Sequence, residues 1–275
     1  FGEKVLEALI KQGEEIVGVF SPPDKRGEAM KNLAEGSNIS SFRPKQMKDP
    51  EVYETFKKLR PDLVILAFVT DISLLPKHRG ASGINWAIIQ GDTRTGLTIL
   101  WADKGIDTGP ILLQKEVEIG PDDTTGSLYF NVLFPIGIEA IIEAVELIKK
   151  GKGPRIPQDE SKATYESPCD DRFASIDFEK PIPDIYNLVR GCDPQPGAFT
   201  TFKGKKVRFY DARMISSATG KRPGEIVEID ADSLTVAVKG GVLKIGKLRV
   251  DKGEKLGPAE FARSVDAKVG DRLGT

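Results

Sequence analysis

Hydrophobic positions along the first half of the chain alternate between helical and strand-like spacing. In "FGEKVLEALIKQG", Val5, Leu6, Leu9 and Ile10 share one helical face and Gly13 is a natural stop. The spacing predicts a helix there, then a short apolar strand over 16–20 that "SPPDKRG" closes. A further helix is predicted over 51–58. "LVILAFV" after Pro61-Asp62 is an unbroken β-favouring run, as in a strand buried on both faces. "GINWAIIQG" predicts a helix, "GLTILWAD" another buried strand, and "GPILLQKEVEI" a more alternating strand nearer a sheet edge. Strands alternating with helices imply βαβ units and a mainly parallel sheet.

A long helix should follow, capped by Asp122 or Asp123, with Ile141, Ile142, Val145 and Ile148 on one face. Lys149-Lys150-Gly151 would end it with favourable dipole chemistry, and Pro135 would kink or divide it. "GKGPRIPQDESKATYESP" has a linker's Gly, Pro and polar composition, so a first domain is expected over 1–152, a linker over 153–166 and a second domain over 167–275. The second domain opens with a short helix in "EKPIPDIYNLVRG". It continues as "GAFTTF", "KKVRFYDAR", "GEIVEI", "SLTVAV" and "VLKIGKLRV", short strands with glycine turns that predict a small β-barrel or sandwich.

Composition narrows the function. A 275-residue chain that is 39% hydrophobic and 29% charged has the make-up of a soluble globular protein. Forty basic against 41 acidic residues give no global drive toward nucleic acid. Cys169 and Cys192 have neither metal-ligand spacing nor a disulfide framework, which suits a reducing cytoplasm, the expected location. No uninterrupted apolar run reaches a membrane span of about 18–20 residues, so no membrane partner is expected. No signal peptide is visible, and the chain does not begin with Met.

Two stretches carry candidate chemistry. "DKGIDTGPIL" follows a predicted buried strand, at the carboxyl end where ligand sites form in open α/β sheets. Gly105 and Gly109 would let backbone approach a ligand, and Asp107 between them could relay a proton; a simple Asp-capped turn fits the same pattern. "SLLPKHRGASGINWAIIQGD" holds the single histidine, His78, beside Lys77 and Arg79. The planar fork of Arg79 suits an anionic substrate group, although loop arginines more often only solvate. Cys192 has no neighbouring base in sequence, which argues against a nucleophilic thiol. The basic run Lys203, Lys205, Lys206 and Arg208 fits either a phosphate contact or a solvated strand edge.

"SLLPKHRGASGINWAIIQGD", "TGLTILWADKGIDTGPILLQKEVEI" and "DDTTGSLYFNVLF" together resemble the 10-formyltetrahydrofolate-using formyltransferase family. That family includes methionyl-tRNA formyltransferase and the hydrolase domain of 10-formyltetrahydrofolate dehydrogenase. "IDFEKPIPDIYNLVRGCDPQPGAFTTFKGKKVRFYDAR" is similar to the segment leading into the family's C-terminal, OB-like barrel. The resemblance implies a doubly wound, mainly parallel α/β domain followed by that small barrel. It also implies 10-formyltetrahydrofolate as co-substrate and no metal. Phe68, Thr70 and Ile72 match a folate-binding loop, and Trp101, Ala102, Asp103 and Lys104 match the opposite wall. Asp107 matches the catalytic aspartate, which relays protons as the formyl group passes through a tetrahedral intermediate. Arg79 and Gly80 shape a loop on the substrate side.

The chain departs from the pattern in two places. The family's Asn-x-His-Pro-Ser segment, with its oxyanion donor and acid/base, is not found before Leu-Leu-Pro; "AFVTDI" runs straight into Ser73. His78 falls at a variable position and does not inherit the catalytic role. The first strand of such a domain is also not found before Phe1. Omitted disordered residues, a truncated gene and a true deletion would each explain this, and the peptide geometry between Ile72 and Ser73 would discriminate. Removing central strands leaves backbone groups and apolar faces unpaired, so a simple deletion is the hardest of the three to fold. Methionyl-tRNA, as the initiator, is the default acceptor. Water, in a 10-formyltetrahydrofolate hydrolase, or an amino sugar is the alternative, and a non-catalytic folate-binding protein is the rival from another class. Oligomeric state is not legible in the sequence.

Overall fold

In the computed structural model the described residues are 1–67, 73–217 and 219–274. The chain separates into two compact units, Phe1–Val69 with Phe134–Gly153, and Thr70–Leu133 with Pro154–Thr275. The first unit takes in two separate stretches of chain.

The first unit is built on amphipathic helices. Helix α1 (Gly2–Lys11) buries Val5, Leu6 and Leu9, as the spacing predicts. Strand β1 (Val19–Phe20) pairs in parallel with β2 (Ser41–Phe42), and the rings of Phe20 and Phe42 stack at 4.9 Å. Helix α2 (Glu28–Gly36) lies between them in sequence; Ala34 joins Leu6 and Val19 in a small core edged by Ile10, Ile16, Met30, Leu33 and Ile39. Helix α3 (Pro50–Leu59) starts with proline in its first turn, where a missing N–H costs nothing. Helix α6 (Phe134–Lys149) completes the unit, with Phe134 edge-on to Phe1 at 5.5 Å and Lys149 paired with Glu14 at 2.8 Å.

The predicted buried strand in "LVILAFV" is not observed. Residues 63–67 belong to no strand, and Val64, Ile65 and Leu66 are 49%, 37% and 59% exposed. A run of high β-propensity becomes a strand only where a neighbour takes up its N–H and C=O groups. No such neighbour is present among the described residues. Phe68 and the Ile72–Ser73 junction lie outside the described residues.

In the second unit, β3 (Arg79–Gly80) pairs in parallel with β6 (Tyr165–Glu166). Helix α4 (Gly83–Ile89) matches its prediction. Strands β4 (Arg94–Leu100) and β5 (Ile111–Glu118) form an antiparallel pair within what the alternation of strands and helices marked as a mainly parallel region. Ten intervening residues are too few for a crossover helix, so the strands fold back on each other. The expected long helix divides. Helix α5 (Thr125–Leu128) is capped by Thr124, not Asp122 or Asp123, in a reciprocal box with Ser127. A π-helical turn (Tyr129–Leu133) then precedes α6, so the irregularity falls just before Pro135.

The expected linker is ordered structure. Ile156 exchanges backbone hydrogen bonds with Ile111, and Tyr165–Glu166 is strand β6. Its polar side chains Gln158, Glu160 and Tyr165 hydrogen-bond to Arg79 across the unit. Helix α7 (Ile182–Gly191) then leads into β7 (Phe199–Phe202), β8 (Lys205–Ile215), β9 (Ile226–Ile229), β10 (Leu234–Val238), β11 (Gly241–Val250) and β12 (Lys255–Leu256). These form one antiparallel sheet in the order β7-β8-β11-β10-β9, with β12 paired to β11. Lys203 and Gly204, both at positive φ, make the two-residue turn between β7 and β8 that suits a right-twisted hairpin. Helices α7 and α8 (Pro258–Val265) contribute Ile185, Val189 and Phe261 to a core with Phe209, Leu234, Val236, Leu243 and Ile245. The α/β architecture with a small barrel-type second part matches the sequence reading.

Among the described residues the helical stretch Thr125–Lys149 is long and apolar enough, by length and composition, to cross a membrane. Counting uninterrupted apolar runs misses it, because Glu139 and Glu143 break the run. Gly137, Ala140, Ile141, Ala144 and Val145 on α6 are buried, as in the core helix of a globular unit.

Candidate active site

The hairpin between β4 and β5 carries the residues of "WADKGIDTG". Trp101 N–H donates to Pro110 O at 2.9 Å and closes the loop at its base. Gly109 is required there, because a Cβ would overlap the Trp101 carbonyl. Within the loop Asp103 accepts from Gly105 N–H at 2.9 Å and from the Thr108 hydroxyl at 2.8 Å. Its carboxylate therefore organises the turn from inside. Ala102, Asp103, Lys104 and Ile106 are exposed. Trp101 is half-buried: its indole N–H donates to Pro154 O at 2.8 Å, and the Arg155 guanidinium lies 3.9 Å over the ring.

Asp107 occupies a left-handed conformation at φ 56°, one Asp adopts more readily than most residues. Its Oδ2 accepts from Gly80 N–H at 2.8 Å. Gly80 has φ 93°, and a Cβ there would come within 2.9 Å of Glu166 O, so glycine is needed where β3 meets β6. The structure thus brings Asp107 and Gly80 together, residues that lie 27 positions apart.

Arg79 is completely buried. Its Nε and Nη2 donate to Gln158 Oε1 at 3.1 and 2.8 Å, and its Nη1 and Nη2 donate to the Glu160 carboxylate at 2.8 and 2.7 Å. Nη1 also donates to the Tyr165 hydroxyl at 2.7 Å. The hydrogen bonds to Glu160 raise its pKa despite the opposing effect of burial. All five N–H groups are committed, which corrects the picture of Arg79 as a free fork for a substrate anion. It shapes the loop from beneath.

Gln158 is the residue the sequence reading missed, because it lay in a segment read as linker. Its Nε2 donates to Asp107 O at 2.7 Å and to Gly109 O at 2.8 Å.

His78 is buried with φ 58°. Nε2 lies 2.8 Å from Asp92 Oδ2 and Nδ1 lies 3.3 Å from Glu166 Oε1. Both ring nitrogens are engaged by carboxylates, so His78 fastens its loop. Burial works to raise the Asp92 carboxyl, but hydrogen bonds from Lys77 and His78 outweigh it and hold the group below its ordinary value. A cavity of about 230 Å³ opens beside His78, Asp92 and Thr95. A larger one, about 630 Å³, is lined by Ser82, Asn85, Cys169, Asp170, Asp171, Arg172, Gln195 and Pro196. Neither is lined by Asp107. Cys169 and Cys192 are free thiols with sulfurs 3.8 Å apart. Hydrogen bonding between them raises the buried Cys192 thiol, reinforced by burial, and lowers Cys169 against it.

In the basic run, Lys206 and Arg208 pair with Asp171 at 2.7 and 2.8 Å, and Lys203 donates to Asp266 O. Phe68, Thr70 and Ile72, matched to the folate-binding loop, lie outside the described residues. Among the described residues no group of three or more metal-ligating side chains is found.

The hairpin that carries Asp107 and the antiparallel sheet of β7 to β12 belong to the same unit. Two family profiles match, "Formyl transferase" over residues 69–145 and "Formyl transferase, C-terminal domain" over residues 170–266. Human mitochondrial 10-formyltetrahydrofolate dehydrogenase is 38% identical over 272 residues, which cover 90% of this chain and 29% of that protein. The chain thus spans less than a third of the length of that relative. Methionyl-tRNA formyltransferase of Alkaliphilus oremlandii is 33% identical over 300 residues, covering all of this chain and 96% of that protein. Among solved structures, HypX from Aquifex aeolicus in complex with tetrahydrofolic acid shares the fold, with TM-score 0.63, 19% identity, and coverage of 98% of this chain and 42% of that one. The chain belongs to the formyltransferase family.

The match to the Alkaliphilus protein runs over 300 residues against 275 here, so at least 25 of its positions have no counterpart in this chain.

Proposed function

We propose that the chain takes part in formyl transfer from 10-formyltetrahydrofolate, with Asp107 as the proton-handling group and methionyl-tRNA as the acceptor. One observation carries the choice of acceptor: the methionyl-tRNA formyltransferase is matched over 96% of its own length. The folate reading is supported by the family profile and by the tetrahydrofolic acid held in the HypX relative.

The bound folate would supply an activated formyl group, and the residues of the chain orient and discharge it. Asp107 presents a carboxylate whose Oδ2 is fixed by Gly80 N–H, leaving Oδ1 as the atom for taking and returning a proton. Exposed Ala102, Asp103, Lys104 and Ile106 offer a mixed polar and apolar surface beside it, of the kind a pterin and its glutamate tail would contact. An oxyanion donor and a histidine partner for Asp107 are not among the described residues in this loop, and both nitrogens of His78 are already engaged.

The second reading is hydrolysis, with water as acceptor, favoured by the 38% identity to the dehydrogenase. The test is conversion of 10-formyltetrahydrofolate with and without initiator methionyl-tRNA. Turnover that requires the tRNA supports the first reading, and equal turnover without any acceptor replaces it with the second. Binding of folate with no turnover in either arm would leave a folate-binding protein. Asp107→Asn should lower turnover by about 10²–10⁴-fold. Near-normal activity would show that the aspartate has no catalytic role.

A further inference from the structure

We infer that Gln158 is the positioning residue of the Asp107 loop. One amide side chain fixes the backbone on both sides of the carboxylate, and Arg79 fixes the amide. The inference rests on the catalytic reading of Asp107 and extends it to residues outside the hairpin.

The hydrogen bonds close a ring. Gly80 N–H holds Asp107 Oδ2, Gln158 Nε2 holds Asp107 O, and Gln158 Oε1 is held by Arg79, the chain neighbour of Gly80. The carboxylate and its own backbone are thereby referenced to the same two-residue strand. Both amide hydrogens of Gln158 are used, on Asp107 O and Gly109 O. The chemistry admits one orientation. A flipped amide would set its oxygen against two carbonyls and its NH₂ against a guanidinium.

Arg79 explains why the ring is rigid. It is completely buried, and Glu160 and Tyr165 hold the guanidinium from the far side of the amide. A buried guanidinium with every N–H committed recognises no substrate group, but it orients Gln158 well. Catalytic geometry tolerates little error: a displacement of roughly 1 Å can cost about 10²-fold in rate. Without Gln158, Asp107 would keep, among the described residues, the Oδ2 contact to Gly80 on a loop whose left-handed φ must be held by its surroundings.

The variant to make is Gln158→Glu in the full chain, which keeps the acceptor toward Arg79 and removes the donors toward Asp107 and Gly109. Turnover of 10-formyltetrahydrofolate should fall at least tenfold in kcat, with KM within twofold. The Gly80 amide should exchange with solvent at least tenfold faster, while amides of the β4–β5 ladder keep their protection. Gln158→Asn, which retains an amide on a shorter arm, should recover part of kcat. Asp107→Asn belongs in the same series. If Asp107→Asn abolishes turnover and Gln158→Glu leaves kcat unchanged, the positioning role is overturned and the catalytic reading stands. If Asp107→Asn is fully active, or the parent chain does not turn over, the catalytic reading fails. The clamp is then decided by Gly80 exchange, and unchanged protection in Gln158→Glu overturns it.

Discussion

Two five-residue stretches of nearly the same character meet opposite fates. "LTVAV" at 234–238 is strand β10, with all five residues buried between β9 and β11. "LVILA" at 63–67 is, if anything, more apolar, yet it forms no strand, and Leu66 is 59% exposed. Propensity cannot separate them. Partners can: β10 has a neighbour on each edge to receive its backbone groups, and residues 63–67 have none among the described residues. The formyltransferase relative carries at least 25 positions that this 275-residue chain does not. Among the described residues the apolar run has the composition of a strand without a paired neighbour.

The largest expected effect lies on the β10 side. Leu234 is fully buried in the core of the antiparallel sheet. Leu234→Ala should destabilise the full chain by about 2–5 kcal/mol in urea unfolding, the range for a leucine truncated in a packed interior. A loss below about 1 kcal/mol would mean that the sheet is no better packed than the run at 63–67, and the contrast would collapse.

This contrast also explains what the sequence could and could not reveal. Strands β7 to β11 were legible because alternation and glycine turns mark each of them locally; β7 and β8 are joined by two residues. Asp107 was legible through a motif in one hairpin loop. Gln158, Glu160 and Tyr165 were not, because their work is done on Arg79, some 80 residues earlier, and composition marks them only as loop. The reading of "LVILAFV" as a buried strand failed for the same reason in reverse. The run carries the signal of a strand but no record of whether its partners are present. Arg79 was seen as a residue worth naming, but only its surroundings show that its fork is already occupied.

A smaller effect should appear at acid pH, in the ion pairs that tie the segment before α7 to β8. Hydrogen bonds from Arg208 and then Lys206 lower the Asp171 carboxyl to about 2. In the unfolded chain an aspartate titrates near ~3.9. The folded value is depressed, so the contribution is complete above about pH 4 and is lost as pH falls toward 2. The Asp171 side chain is 45% exposed, so solvent screening limits the pair to under about 1 kcal/mol. Thermal unfolding of Asp171→Asn should show a flatter acid limb than the parent between pH 4 and 2. Parallel limbs would mean that this anchor does not stabilise the sheet.

The smallest effect should be at Leu66, and it tests the comparison most directly. An exposed leucine in an unpaired segment has little burial to lose, so Leu66→Ala should change stability by no more than about 0.5 kcal/mol. Leu66→Lys should be equally silent, because the ammonium would remain in water. These two variants, measured in the same urea titration as Leu234→Ala, separate two origins of the difference. If both are silent, the apolar run is unpartnered in solution and its β-propensity goes unused. If Leu66→Lys instead costs 2 kcal/mol or more, residues 63–67 are covered in solution, and the contrast with β10 is one of which segment supplies the cover. That outcome would direct attention to strand pairing by another part of the protein or by a second copy, and the oligomeric state of the Leu66→Lys variant would tell the two apart.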